Sequence, residues 1–220
     1  MPALSEIEKQ REYWNKELPA FDAIYTHEKS ALSSLLDSIF RKDMYQRYNE
    51  TLAACEPVQE TTILDVGCGT GLYAIELAQR GAAHVLGVDI AERMVQTCQE
   101  RAKEEGLGNT AFQRGEVTDL PDGKAFDVSI AIGLFDYLPD AVPTLRAMGE
   151  RTRDRVVATF PRLLTWRAPV RKLRLSVRGC PVYFYSAAGV KRALSEAGLD
   201  AVELRRLGKL YFVVARPSSL

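Results

Sequence analysis

The stretch from Thr61 to Gly71, TTILDVGCGTG, constrains this chain more than any other part of it. The apolar run 63–66 predicts a buried strand, and the apolar periodicity of 72–78 predicts an amphipathic helix. Between them, alternate glycines can adopt positive φ and let a ligand approach the backbone, and the helix N-terminus offers free N–H groups. The stretch therefore predicts a strand, loop and helix that bind an adenosine-containing cofactor.

The spacing of the glycines indicates which cofactor. Dinucleotide-binding folds carry G-x-G-x-x-G. Here the sixth position is Leu72, and the pattern from Asp65 to Gly71 reads D-x-G-x-G-x-G. This pattern resembles the first motif of class I S-adenosylmethionine (SAM) methyltransferases. SAM has no phosphate, so a carboxylate at the loop can help hold the ammonium of its methionine moiety. The alternative is a glycine-rich turn that binds nothing.

The resemblance implies a fold, which the hydrophobic patterns of the chain match. The expected class is α/β, a seven-stranded doubly wound (Rossmann-like) sheet with strands six and seven as an antiparallel hairpin and a helical N-terminal lid. The predicted strands are 63–66, 84–89, 110–114, 126–132, 155–160, 200–204 and 210–215. The single predicted domain, 1–220, comprises the lid (1–57), a cofactor-binding half (61–160), a variable acceptor-side insert (161–185) and a C-terminal helix and hairpin (186–220).

The resemblance also implies which residues hold the cofactor. In the glycine loop these are Asp65, Gly67, Cys68, Gly69 and Gly71. Asp89 ends the second predicted strand, 18 residues after Gly71, close to the interval at which an acid meets a ribose in adenosine-binding folds. Its carboxylate can accept hydrogen bonds from both ribose hydroxyls. The alternative for Asp89 is a cap for the helix that begins near Ala91.

The adenine site is predicted from two further segments. Ile90 and Met94 would flank the ring. The run after the third strand resembles the family's G-D-A-x-x-L-P segment, with Glu116 and Val117 in place of Asp and Ala. By that match Glu116 accepts from the adenine amino group and the Val117 N–H donates to the ring. Asp119 is the second candidate, and a solvated loop is the alternative.

The first 55 residues read as three helices. They are predicted to run from Ser5 towards Trp14, over 31–40 and over 44–55. Many class I methyltransferases have a helical lid in this place, and the resemblance implies that Tyr13, Tyr25 or Arg47 reaches the carboxylate end of the cofactor. Packing between the helices is the alternative for each.

Candidates for catalysis lie in the lid and after the fourth strand. Residues 133–137 should face the meeting point of methyl donor and acceptor, because ligands of doubly wound sheets bind at the carboxyl ends of the strands. Gly133 is assigned to the cofactor, and Tyr137 either orients a nucleophile or lines the pocket. A base is needed only if the acceptor arrives protonated. His27 is the best candidate base, and an exposed loop histidine is its alternative.

Composition narrows the class of protein. Basic and acidic residues number 29 each. Four scattered cysteines, Cys55, Cys68, Cys98 and Cys180, form no C-x-x-C pair, which favours reduced thiols over disulfides or a metal site. Cys68 is expected to be a small filler. No apolar run approaches a membrane span and the first residues are polar, so a soluble, cytoplasmic protein without a transmembrane segment is expected.

The variable insert is the segment whose composition bears on the acceptor. Residues 162–178 contain six basic residues and no acid, interleaved with apolar residues. Such a segment suits an anionic or amphipathic acceptor, or peripheral contact with an anionic membrane. A helix with a solvated cationic face is the alternative.

The sequence thus predicts a SAM-dependent methyltransferase that transfers a methyl group to O or N of a small molecule and releases S-adenosylhomocysteine. The alternative is a non-catalytic SAM-binding sensor or partner subunit. A nucleic-acid acceptor is disfavoured because no N-P-P-Y tetrapeptide follows the fourth strand. A nicotinamide dehydrogenase is disfavoured by Leu72.

Overall fold

The computed structural model of the chain describes residues 6–25, 34–123, 125–163, 165 and 180–218. Its helices are α1 (Glu6–Tyr25), α2 (Ser34–Ala54), α3 (Leu72–Gln79), α4 (Glu92–Glu104), α5 (Val142–Arg151) and α6 (Ala187–Glu196). Its strands are β1 (Thr62–Val66), β2 (His84–Asp89), β3 (Thr110–Arg114), β4 (Phe126–Ala131), β5 (Thr152–Pro161), β6 (Leu199–Leu207) and β7 (Leu210–Pro217). A short 3₁₀-helix, Val117–Asp119, follows β3.

The seven strands of the described residues form one sheet in the order β3-β2-β1-β4-β5-β7-β6. The first five strands in that order are parallel, and β7 is antiparallel to both β5 and β6. The order reverses between β1 and β4. In doubly wound sheets the ligand crevice lies at the carboxyl ends of the strands at this point. The predicted fold class, with its antiparallel final hairpin, is confirmed.

Helices cover both faces of the sheet, so the central strands are apolar on both sides. Ile63 and Leu64 are neighbours in β1, point to opposite faces and are both fully buried. The cluster around Ile63 includes residues of α2 and α3, and the cluster around Leu64 includes residues of α5 and α6. Two cores therefore fix β1, and with it the start of the glycine loop.

One prediction about helices is wrong, and one helix was not predicted. The predicted helices 31–40 and 44–55 are one helix over Ser34–Ala54. Nothing between them is a helix breaker, since residues 41–43 are Arg, Lys and Asp and no Gly or Pro occurs in α2. Helix α5 was not expected at all. It begins with Pro143 in its first turn, a favoured place for proline, and runs directly into β5, which starts three residues earlier than predicted.

Gly87 in β2 has no room for a side chain. A methyl group there would lie 2.6 Å from Cδ1 of Phe112 and 3.0 Å from Sγ of Cys68. We expect Gly87→Ala to lower the free energy of unfolding by about 1–3 kcal/mol, because overpacking forces neighbours out of place.

Urea unfolding measures this effect. Gly108→Ala is the matched control, because a methyl group at Gly108 meets nothing within 4 Å. The control should remain within about 0.5 kcal/mol of the wild type. Equal losses in the two variants would contradict the packing argument.

Candidate active site

The glycine loop between β1 and α3 is fastened to the neighbouring strand. Gly67, Gly69 and Gly71 have φ values of 72°, 55° and 84°, a region that L side chains rarely adopt. The N–H groups of Gly67 and Cys68 donate to the carbonyl of Val88 in β2, at 2.8 and 3.1 Å. The loop thus crosses from β1 towards β2 at the carboxyl edge of the sheet.

Asp89 ties this loop to α4. Its Oδ2 accepts from the N–H of Gly69 at 2.9 Å, and its Oδ1 accepts from the N–H of Ala91 at 2.8 Å. Burial raises the pKa of the Asp89 carboxyl, and the two amides oppose that rise. Ala91, not Asp89, is the residue that precedes the first turn of α4. Each carboxylate oxygen has a second lone pair, so both can also accept from a ligand hydroxyl.

Asp65 is the most strongly buried carboxyl of the loop. It is 2% exposed, and within the described residues its Oδ2 has no hydrogen-bond partner. Burial raises its pKa from 3.8 to about 7, the charge of Asp89 adds to the rise, and the Ala74 amide opposes it. A buried acceptor without a donor is costly. The geometry therefore presents one carboxylate oxygen to which no donor in the described part of the chain is directed.

The two buried thiols below the loop support its backbone. The Sγ atoms of Cys68 and Cys98 are 4.0 Å apart, and the Cys98 thiol donates to the carbonyl of Gly69 at 3.1 Å. Hydrogen bonding with Cys98, followed by burial, raises the pKa of the Cys68 thiol. A thiol with a raised pKa is a poor nucleophile at neutral pH. This agrees with the expected filler role of Cys68.

Two of the predicted adenine residues, Ile90 and Met94, precede β3 in the chain, and Glu116 and Val117 follow it. Ile90 is half-buried, whereas Met94 and Val117 are 1% and 2% exposed. Glu116 and Asp119 are exposed and cap the 3₁₀-helix reciprocally; the Asp119 carboxylate accepts from the N–H of Glu116 at 2.9 Å. Both acids thus have a structural task.

On the acceptor side, Gly133 follows β4. Its φ is 80°, and its N–H donates to Oγ1 of Thr159 in β5 at 2.9 Å. A Cβ at Gly133 would lie 3.5 Å from Nη1 of Arg47. Arg47 of α2 therefore reaches the predicted cofactor edge between β1 and β4. Sequence reasoning missed Thr159, whose hydroxyl faces this loop from the adjacent strand.

Helix α1 contacts both the loop after β4 and the first turn of α4. Nε2 of Gln10 donates to the carbonyl of Tyr137 at 2.6 Å, and the Trp14 ring meets the Tyr137 ring edge to face at 4.9 Å. Farther along α1, Oδ1 of Asn15 accepts from the N–H of Arg93 in α4 at 3.2 Å. Sequence reasoning missed Gln10 and Asn15, because nothing in the local pattern of α1 separates them from its other polar residues.

Several predicted residues remain without structural description. His27 and most of the basic segment 162–178 lie outside the described residues, as does Ser5. Tyr25 ends α1, but its side chain is not among those described. Tyr13 is described: it is half-buried, and its ring packs edge to face on Trp14, with centroids 5.2 Å apart.

Similarity to known proteins agrees with this geometry. The family described as a methyltransferase domain matches residues 57–167. The chain is 34% identical over 121 residues to the magnesium-protoporphyrin O-methyltransferase of Rhodobacter capsulatus, a match over 54% of this chain and 50% of that enzyme. It is 27% identical over 172 residues to the ubiquinone biosynthesis O-methyltransferase of Neisseria meningitidis serogroup C (strain 053442), covering 72% of this chain and 71% of that enzyme. The first match thus spans only half the length of the relative.

Solved structures support the fold. The magnesium protoporphyrin IX methyltransferase of Synechocystis PCC 6803, crystallised with bound SAM, has a TM-score of 0.78 at 22% identity and covers 99% of this chain and 100% of that one. Geranyl diphosphate C-methyltransferase of Streptomyces coelicolor A3(2) has a TM-score of 0.73 at 15% identity, covering 99% of each chain. At such identities the likeness concerns the fold alone.

The sheet order, the glycine loop after β1 and the acid that ends β2 define a class I SAM-dependent methyltransferase fold. With half of its length matched by the family, the chain belongs to the methyltransferase-domain family, whose cofactor is SAM. The predicted family, enzyme class and cofactor are confirmed.

The raised pKa of Asp65 predicts how stability depends on pH. Between 3.8 and about 7 the folded chain binds more protons than the unfolded chain. The free energy of unfolding should therefore fall as pH rises through this window and level off above pH 7. We expect Asp65→Asn to remove this contribution, so that from pH 5 to pH 8 the wild type loses on the order of 2 kcal/mol more than the variant.

Chemical denaturation at a series of pH values tests this. Asp127→Asn is the control, because the N–H of Thr62 donates to Asp127 and lowers the pKa of that carboxyl below the window. The control should keep the wild-type pH dependence from pH 5 to pH 8. Parallel curves for the wild type and Asp65→Asn would contradict the buried-carboxyl argument.

Proposed function

We propose that this chain transfers the methyl group of SAM to an oxygen or nitrogen of a small anionic or amphipathic molecule. The observation that carries the proposal is the pair of carboxylates at the glycine loop, with Oδ2 of Asp65 buried and without a donor among the residues that the structure describes. SAM is an adenosine cofactor that brings an ammonium, two ribose hydroxyls and no phosphate. Two carboxylates can accept hydrogen bonds from these groups. A pyrophosphate would instead bring negative charge to the same buried site, where like charges repel.

Each end of the cofactor has a proposed partner. Asp65 would accept from the ammonium, and Asp89 from the ribose hydroxyls with the lone pairs that Gly69 and Ala91 leave open. Arg47, beside Gly133, would pair with the carboxylate. For the adenine we propose Ile90, Met94, Glu116 and Val117. The buried Met94 and Val117 supply apolar surface, and Glu116 is exposed at the mouth of this region.

Catalysis by this chain rests on positioning. SAM supplies a methyl group on a sulfonium, which needs no activation by a metal or acid. The protein must align the acceptor and exclude water. Helix α1 supports this role, since it contacts Tyr137 through Gln10 and α4 through Asn15. We propose that Tyr137 lines the acceptor pocket and that His27 acts as base where the acceptor is protonated.

Oxygen is the favoured acceptor atom. The relatives from Rhodobacter capsulatus and Neisseria meningitidis are both named O-methyltransferases. The basic composition of 162–178 supports an anionic acceptor or peripheral contact with an anionic membrane. Among the described helices, none has the length and hydropathy of a membrane span. The four cysteines are free thiols, which supports the proposed cytoplasmic location.

Isothermal titration calorimetry with three ligands tests these assignments. S-adenosylhomocysteine carries every proposed contact, 5′-methylthioadenosine lacks the amino-acid end, and NADH represents the dinucleotides. We expect Asp89→Ala to lower the affinity for S-adenosylhomocysteine and for 5′-methylthioadenosine at least about tenfold, because the ribose of each ligand loses hydrogen bonds to a charged group. Arg47→Ala should lower the affinity for S-adenosylhomocysteine about tenfold or more, and should change the affinity for 5′-methylthioadenosine by less than about twofold.

Asp200→Ala, at an exposed acid of β6, is the matched control and should bind all ligands as the wild type does. Circular dichroism verifies that each variant is folded. Binding of NADH with no binding of S-adenosylhomocysteine would contradict the cofactor assignment. Equal weakening of both adenosine ligands by Arg47→Ala would contradict its role at the carboxylate.

Turnover separates the enzyme from a SAM-binding sensor. The wild type is incubated with SAM and a panel of phenolic, carboxylic and amine acceptors, and S-adenosylhomocysteine is quantified. The proposal expects its release with at least one acceptor. SAM binding without release from any of them would favour the sensor.

A further inference from the structure

The backbone around Arg162 is held by hydrogen bonds on two sides. The N–H of Arg162 donates to the carbonyl of Lys209 at 3.0 Å, in the turn between β6 and β7. On the other side the Tyr185 N–H donates to the carbonyl of Pro161 at 2.8 Å, and the Leu163 N–H donates to the carbonyl of Tyr185 at 2.9 Å. The backbone at Arg162 is therefore bound to two segments that are distant in sequence.

The guanidinium of Arg162 is also held in place, but its charge is not neutralised. Nη1 donates to the carbonyl of Gly208 at 2.7 Å, and the carbon Cζ lies 5.7 Å from the centre of the Tyr211 ring. Nε is buried and has no hydrogen-bond partner in the described part of the chain. No carboxylate there forms an ion pair with it. A guanidinium has five N–H donors in a planar fork. With Nε buried and one N–H of Nη1 directed at Gly208, the second N–H of Nη1 and the two of Nη2 remain available for an anion.

The surroundings connect Arg162 to the acceptor side of the site. It follows β5 directly, at the same carboxyl edge as Gly133 and the glycine loop. Tyr185, paired with Arg162, donates its hydroxyl to the carbonyl of Leu138 at 3.3 Å. In the same segment the N–H of Tyr183 donates to the carbonyl of Asp136 at 2.8 Å. The arginine and the loop that carries Tyr137 thus flank one short segment.

The aromatic wall beside Arg162 is formed by the half-buried rings of Tyr185 and Tyr211. Behind it, Phe160 meets Tyr185 edge to face at 5.1 Å and stacks on Phe135 with ring centres 4.5 Å apart; both phenylalanines are fully buried in the core. Burial raises the pKa of Tyr185 to about 12, and the charges of Asp140 and Asp136 add to the rise. The phenol therefore stays neutral and adds no negative charge near the guanidinium. An apolar body beside a fixed cation suits a molecule with an aromatic or aliphatic part and one anionic group.

We propose that Arg162 is the residue that selects an acceptor bearing a carboxylate or phosphate, by pairing its guanidinium with that group while the aromatic wall receives the apolar part. The inference rests on the proposed function, because it names the class of acceptor for that site. Arginine suits this task better than lysine, since its planar fork can donate to two oxygens of a carboxylate or of a phosphate. The role is one of binding and specificity and involves no proton transfer.

The test uses the full chain saturated with S-adenosylhomocysteine and three probes with the same apolar body. 4-Phenylbutyrate is the carboxylate, 3-phenylpropyl phosphate is the phosphate and 4-phenylbutyramide is the neutral analogue. Calorimetry should give at least tenfold tighter binding of one anion than of the amide by the wild type. The tighter of the two anions identifies the anionic group. Arg162→Gln should reduce the preference to less than twofold and leave the affinity for S-adenosylhomocysteine within twofold of the wild type.

Arg146→Gln is the matched control. Arg146 also donates to one backbone carbonyl, that of Glu196 at 2.9 Å, but it lies on α5 and the carbonyl at the end of α6. It should keep the wild-type preference. Retention of the preference in Arg162→Gln, its loss in Arg146→Gln, or its absence from the wild type would each overturn the inference. Binding of S-adenosylhomocysteine by the wild type is measured first. If the wild type does not bind it, the proposed function is contradicted rather than this inference.

Discussion

The cofactor end of this molecule depends on a buried carboxyl group, that of Asp65, one of whose oxygens receives no hydrogen bond from the described residues. Asp65 lies between two cores that fix β1, so it cannot turn its side chain into solvent. Burial and the nearby Asp89 raise its pKa to about 7, and no residue in the described ranges donates a hydrogen bond to Oδ2. Such a group lowers the stability of the empty protein. Its proposed role is to bind a cation, and the ammonium of SAM is such a group.

Charge is distributed unevenly along the carboxyl edge of the sheet. Acids, Asp65 and Asp89, lie at the ends of β1 and β2, where the glycine loop crosses. Arginines lie on the other side: Arg47 approaches Gly133 after β4, and Arg162 follows β5. A cationic ammonium and a diol suit the first half, and anionic groups suit the second. The proposed binding of a zwitterionic cofactor and an anionic acceptor at one edge requires such a separation, because it keeps like charges apart.

Features encoded over a few neighbouring residues could be predicted from the sequence. The loop from Asp65 to Gly71, the acid Asp89 and the hairpin of β6 and β7 depend on local spacing and alternation, and the fold follows from them. The contact between Gln10 and Tyr137 joins residues 127 positions apart and leaves no local signal. Arg162 was visible only as one of six basic residues, because its fixed position depends on Tyr185 and on the turn at Gly208. The sequence predicted two helices in place of α2 because the apolar stripe is interrupted at the polar residues 41–43, which do not break a helix.

The protonation of Asp65 links the empty and the bound protein, and proton release on binding measures it directly. At pH 6.5 a carboxyl with a pKa of about 7 is about three quarters protonated, so pairing with an ammonium should release about 0.7 proton per site. Calorimetric titration of S-adenosylhomocysteine at pH 6.5, in buffers with different ionisation enthalpies, gives this number. We expect about 0.7 proton for the wild type and much less for Asp65→Asn. No net release by the wild type, or equal release by the variant, would contradict the assignment of Asp65 to the ammonium.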